Sequence, residues 1–266
     1  MSEPQIRFED GATYENYMGH WSQLAGTVFL DWLAPADDLR VLDVGCGNGA
    51  FTELLADCYA TQLLVGIDPA DAQLQFAQTR PVAPRAQFLQ ADAMALPFDA
   101  ASFDLAVMPL VIFFVPEPSK GVSEMVRVVA DQGMVAAYAW DLYGGGFPYE
   151  SLYSQMREMG LTIPTPPSPQ ACRLDELQRL WTQAGLQDVQ TTTITVQRTF
   201  ASFDEYWTTI LGAPSVGGQL KNLSADMLVA LQQVLQQRMQ ARLLIDAQGQ
   251  VLCVARANAV KGRKII

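Results

Sequence analysis

The amino-acid sequence predicts an α/β fold with a doubly wound parallel sheet, and three observations carry that reading. Val41-Leu42-Asp43-Val44 is a short apolar run suited to a buried strand, and Gly45, Gly47 and Gly49 follow it at alternate positions. Phe51, Leu54, Leu55 and Cys58 then recur at i, i+3, i+4 and i+7, which sets one apolar helical face against a sheet. From there to Trp140, strand-like runs alternate with single helices, and that order demands a parallel sheet covered on both faces.

Glycine serves where a backbone bends sharply and where a ligand must reach main-chain N–H groups with no Cβ in the way. The strand–loop–helix therefore reads as a nucleotide cradle with donors at a helix N-terminus. The loop alone leaves two ligands open. Gly45-x-Gly47-x-x-Ala50 also satisfies the dinucleotide fingerprint, with Asp68 at the spacing of a ribose-binding acid.

The elements follow in order. Residues 12–33 hold Tyr14, Tyr17, Met18, Trp21, Leu24, Val28 and Trp32; the last four positions share a helical face, while Tyr14, Tyr17 and His20 can lie over a bound cofactor. Gln62 to Ile67 is the second strand and ends in Asp68-Pro69, where a carboxylate can accept from both ribose hydroxyls or cap the next helix. Ala86 to Leu89 is the third strand, followed by Asp92-Ala93. Phe103 to Met108 is the fourth, Ser119 to Val129 a helix, Asp131-Gln132-Gly133 a turn, and Met134 to Trp140 the fifth strand. Asp43, Asp68, Asp92 and Met108 all fall at or just past strand C-terminal ends, where ligands bind in such sheets. A helix over about 149–159 lies between the glycine-rich Asp141–Gly146 and the proline-rich Thr162–Pro169 and reads as a lid. Leu174 to Ala184 is a core helix and Val189 to Arg198 a strand. Within Phe200–Gln248, Gly212 to Gly218 reads as a loop and Ala225 to Ala241 as a helix capped by Ser224. Val251 to Val260 is the last strand, and Lys261 to Lys264 a basic tail with no evident role.

Composition narrows the function. At 266 residues the chain suits one domain, 1–266, with a lid helix at 12–33 and insertions at about 141–170 and 200–248. A net charge of −11 argues against a nucleic-acid partner, whose phosphates demand Lys and Arg. Four cysteines without Cys-x-x-Cys spacing and a single histidine, His20, argue against a zinc site and favour reduced thiols in the cytoplasm. No signal peptide is evident in residues 1–10, and the run 105–115 falls short of the ~20 residues that a membrane span needs, so no membrane insertion is expected. The oligomeric state is not legible.

Asp43-x-Gly45-x-Gly47-x-Gly49, Asp68 and Asp92-Ala93 together resemble the motifs of the class I S-adenosylmethionine (SAM) dependent methyltransferases, in the branch grouped with quinone and small-molecule methylases. Tyr14-x-x-x-Met18-Gly19-x-Trp21-Ser22 and Phe203-Asp204-x-Tyr206-Trp207 are similar to features of one bacterial subgroup. The resemblance implies a Rossmann-like, seven-stranded sheet in the order 3-2-1-4-5-7-6 with an antiparallel seventh strand. It implies SAM as cofactor, held by Asp43, Gly45, Cys46, Gly47, Asn48, Asp68, Pro69, Asp92, Ala93, Met108 and Tyr14. Asp92 would accept from the adenine amine while the Ala93 N–H donates to the ring.

Methyl transfer from a sulfonium needs no metal, and a general base only where the acceptor must lose a proton. Candidate bases are His20 and Asp141, and the aromatic Tyr143, Tyr206 and Trp207 are candidate contacts to a small apolar or aromatic acceptor. The other readings are an NAD-dependent oxidoreductase, although the chain lacks a Tyr-x-x-x-Lys pair, and a SAM-binding protein without turnover.

Overall fold

The computed structural model of the chain describes residues 15–212 and 216–265. Seven strands form one sheet: β1 (Leu39–Val44), β2 (Thr61–Asp68), β3 (Gln87–Gln90), β4 (Phe103–Pro109), β5 (Val129–Trp140), β6 (Gln187–Phe200) and β7 (Val251–Arg263). Their order is β3-β2-β1-β4-β5-β7-β6. The first five run parallel, and β7 is antiparallel to both β5 and β6. The chain order therefore reverses beside β1. That reversal opens a crevice past the C-terminal ends of β1 and β4.

Helices α1 (His20–Leu33), α2 (Ala50–Cys58), α3 (Asp71–Ala77), α4 (Pro118–Val128) and α6 (Leu174–Gln183) accompany the sheet. The central strands bury both faces, which is why they read as continuous apolar runs. A π-helical turn, Glu15–Gly19, leads into α1. Trp21 and Phe29 of α1 are fully buried, and Phe29 packs on Tyr138 of β5 with ring centroids 4.7 Å apart. On the far side of the sheet, Trp181 of α6 is buried and donates from Nε1 to the Val135 carbonyl at 2.8 Å. At the sheet's lower edge, Arg40 of β1 pairs with Asp104 of β4 at 2.7 Å, which fixes the register of two strands that are distant in sequence.

The two insertions supply α5 (Glu150–Glu158) and, together, α7 (Phe203–Leu211), α8 (Val216–Lys221) and α9 (Ala225–Ala241). They pack on each other: Arg238 of α9 pairs with Glu158 of α5 at 2.7 Å and donates to Gln155 at 2.8 Å. Leu231, Leu235 and Met239 make the buried stripe of α9, whose Ser224 cap accepts from the Met227 N–H at 3.3 Å.

Three local expectations change. The turn expected at residues 131–133 is instead a bulge inside one long β5. Gln132 takes φ +67°, and β7 reaches far enough to pair with it, the Gln132 N–H donating to the Lys264 carbonyl. The expected loop 212–218 contains α8 from Val216 onward, and residues 213–215 of it lie outside the described residues. Lys261 and Lys264 form no free tail. Lys261 Nζ sits 4.5 Å over the Trp32 ring and donates to the Trp32 carbonyl, and Lys264 Nζ donates to Val129.

Candidate functional site

The turn after β1 is built by backbone geometry. Gly45, Gly47 and Gly49 all take positive φ, at +76°, +53° and +81°. The N–H groups of Gly45 and Cys46 both donate to the Ile67 carbonyl at 2.8 Å, which locks the loop to the end of β2. At Gly45 a Cβ would stand 2.4 Å from Val111, so only glycine fits between loop and β4. At Gly47 the nearest atom to such a Cβ is 3.9 Å away, because that side faces a cleft.

This cleft, about 300 Å³, occupies the crevice at the reversal of strand order. Asp43, Gly45, Cys46, Gly47, Asn48, Asp68, Pro69, Asp92 and Ala93 all border it, so one cavity gathers residues from three strand ends. Its described lining holds three aspartates and no lysine or arginine. Asp43 is fully buried and accepts from Thr52 Oγ1 at 2.6 Å through one oxygen, while its Oδ1 has no partner among the described residues. Burial pushes its pKa up to about 7, opposed by the Thr52 bond and reinforced by the negative charge of Asp68. Asp68 accepts from the Gly47 N–H at 3.0 Å and the Ala70 N–H at 2.8 Å. It thus closes the turn that leads into α3 and also props the glycine loop. A carboxylate has about four acceptor sites, so capacity remains for a ligand. Burial raises the pKa of Asp68, and those two backbone bonds oppose the rise. Asp92 is exposed and closes its own turn, accepting from Met94 N–H at 2.8 Å.

A second cleft of about 270 Å³ adjoins the first, and Leu110 and Phe114 line both. Leu110 takes φ +60°, unusual for a branched side chain, and its N–H donates to the Tyr138 carbonyl at 2.7 Å. The second cleft is walled by Tyr17, Phe113, Trp140, Tyr143, Phe147 and Tyr153, with Pro164 and Pro166 from the proline-rich segment. α5 contributes Glu150, Tyr153 and Arg157 to it.

Several expected residues stand elsewhere. Met108 is buried in β4 facing Gly121 of α4, beneath the cleft floor. Tyr14 lies outside the described residues. His20 is exposed at the start of α1 and borders neither cleft. Asp141 pairs with Arg256 of β7 at 3.2 Å and accepts from the Gly144 N–H at 2.8 Å, so its carboxylate pins the glycine-rich loop and lines neither cavity. Tyr143 borders the second cleft. Tyr206 and Trp207 do not: Tyr206 packs edge-on to Phe200 at 5.3 Å, and Trp207 stacks on Phe203 at 6.4 Å. Both serve to seat α7. Gln73, Leu110 and Phe114 line the first cleft without having been singled out from the sequence, and Ser22, which ends the N-terminal motif, lines it as well. Leu110 and Phe114 lie in an apolar run that reads as core, and Gln73 belongs to no motif.

Residues 42–137, which hold β1 to β5 and every described cofactor-site candidate, match the family model for the methyltransferase domain. Those residues are a methyltransferase domain, similar to the class I SAM-dependent enzymes. Over 118 residues the chain is 34% identical to the demethylmenaquinone methyltransferase of Renibacterium salmoninarum, covering 44% of this chain and 47% of that protein. It is 35% identical over 111 residues to the ubiquinone biosynthesis O-methyltransferase of Paracidovorax citrulli, covering 40% and 46%. The match thus spans just under half the length of these relatives. Its fold is similar to that of Haemonchus contortus phosphoethanolamine N-methyltransferase 2, solved with SAM, with TM-score 0.58 and 18% identity over 96% of this chain and 56% of that one. Among the described residues, no helix is long and apolar enough to cross a membrane, and no group of His, Cys, Asp and Glu could hold a metal ion.

Proposed function

We propose that the chain transfers a methyl group from SAM, held in the first cleft, to a small apolar or aromatic acceptor in the second. The observation that carries this reading is the pair of adjoining clefts with a shared wall at Leu110 and Phe114. When bound, SAM supplies a methyl carbon activated by its sulfonium.

The residues present fit that group. The glycine loop offers backbone approach at Gly47, Asp68 retains acceptor capacity for ribose hydroxyls, and Asp92 and Ala93 border the same cavity for an adenine ring. The unpartnered Asp43 oxygen, in a lining without lysine or arginine, suits a ligand with a cationic end better than the pyrophosphate of NAD. This separates the methyltransferase reading from the oxidoreductase one. The named relatives act in quinone biosynthesis, which agrees with an aromatic acceptor.

Leu110 and Phe114 determine the approach of the acceptor to the first cleft, and orientation of this kind can supply about 7–11 kcal/mol of the barrier. Neither His20 nor Asp141 borders a cleft, so we assign no general base, and a proton released by the acceptor passes to solvent. We read the chain as one domain closed by its lid segments, working in the cytoplasm on free small molecules and not on nucleic acid. Calorimetry with SAM, S-adenosylhomocysteine (SAH) and NAD tests the cofactor: SAM and SAH should bind, NAD far more weakly. Tight NAD binding without SAM binding overturns the reading. SAM consumption with a panel of phenols, quinols, amines and carboxylic acids then tests turnover, and consumption with none of them favours a silent SAM-binding protein.

A further inference from the structure

The second cleft, read above as the acceptor site, carries a charge arrangement that an apolar pocket does not require. Among its described lining residues only Glu150 and Arg157 are charged. They stand seven residues apart on one face of α5, and Arg157 Nη2 donates to Glu150 Oε1. Among the described residues the Arg157 guanidinium has no other hydrogen-bond partner, so most of the five donors of its planar fork remain available. Its side chain is 53% exposed and that of Glu150 27%, so an incoming molecule meets the guanidinium first. An ion pair this exposed is worth only about 0–1 kcal/mol, and exchanging one carboxylate for another on the same arginine costs little. Guanidinium also accepts a carboxylate in bidentate fashion and stacks well beside aromatic rings.

We propose that this cleft selects aromatic carboxylic acids, the ring lying among its aromatic side chains and the carboxylate replacing Glu150 on Arg157. At about 270 Å³ the cavity suits a molecule of one or two rings. Arg157 is then a specificity-determining residue, and Glu150 is an internal stand-in for the ligand's acid group.

Competition within the pair gives the test its sign. Binding of 2-naphthoate, 2-naphthamide and 2-naphthylmethylamine is measured by calorimetry on the full chain, with and without SAH. Naphthoate should bind about tenfold tighter than the neutral amide, since a charged acceptor strengthens the bond. Glu150→Gln removes the competitor and should tighten naphthoate binding up to about fivefold, leaving the amide unchanged. Arg157→Gln should erase the difference between acid and amide. The proposal is overturned if the amine binds best, if Glu150→Gln weakens naphthoate, or if naphthoate fails to bind. SAH affinity is read separately in the same experiment, so its absence would count against the cofactor site and not against this one.

Discussion

A buried carboxylate with an unpartnered oxygen, such as Asp43, is costly to ionise, and that cost has a pH signature. Its pKa of about 7 in the fold lies above the 3.8 of an ordinary aspartate, so between those values the folded state holds more protons than the unfolded one. Stability is intact below about pH 4 and is lost as pH rises through about 7. Asp43→Asn should therefore raise stability at pH 8 by on the order of 2–4 kcal/mol, read as a higher melting temperature, and change it little at pH 4. The same substitution should weaken SAM binding at pH 8, because the cationic ligand loses its buried counter-charge. Calorimetric affinity in the parent should likewise fall as pH drops below 7. A melting curve unmoved by the substitution at pH 8 would show that the Asp43 carboxyl ionises in the fold as easily as in the unfolded chain. For Asp68 the two backbone bonds advise against Asp68→Ala, which would free the glycine loop as well. Asp68→Asn keeps an acceptor for one of them and removes the charge. It should cost about 1.5–3 kcal/mol of SAM affinity, read by titration, at a smaller cost in melting temperature.

At the scale of elements, α7 shows how an aromatic motif divides between packing and contact. Phe203-Asp204-Glu205-Tyr206-Trp207 looks like a binding segment in sequence, yet helical spacing turns Phe203, Tyr206 and Trp207 inward together. Trp207→Ala should cost about 3–5 kcal/mol of stability while acceptor KM and SAM affinity stay near the parent values. A changed KM in a protein of parental stability would return Trp207 to the acceptor site. The glycine loop and the acids past β1, β2 and β3 were legible because each depends on local chain geometry or on charge at a strand end. The aromatic sorting was not, because the inward face of α7 packs against Tyr149, more than fifty residues away in the chain. Lys261 and Lys264 were unreadable for a similar reason: their acceptors are carbonyls of Trp32 and Val129, more than a hundred residues distant. Arg157 and Glu150 gave only an ordinary surface pattern for a helix, and the cleft beside them exists only once the proline-rich segment folds across.

For the whole molecule, strand count and order followed from periodicity and the family resemblance, while the position of the second cleft needed three dimensions. It is assembled from the turn before α1, the run after β4, the end of β5 and the insertion that follows, so no single stretch announces it. The place of β7 between β5 and β6 has a consequence for the order in which the chain can assemble. β6 touches no other strand of the sheet: all its ladder bonds go to β7, which is made more than fifty residues later. During synthesis β1 to β5 can pair in turn as they emerge, whereas β6 must wait as an unpaired, threonine-rich ribbon until residues 251–263 leave the ribosome. A chain stopped after Gln250 should therefore expose both the open side of β5 and all of β6, and should aggregate or be degraded more readily than the full chain. A soluble, cooperatively melting product of that length would mean that the parallel half closes its own edge. The thirteen residues of β7 act as the key piece of the sheet, and a nascent chain is most exposed to mispairing in the interval before they arrive.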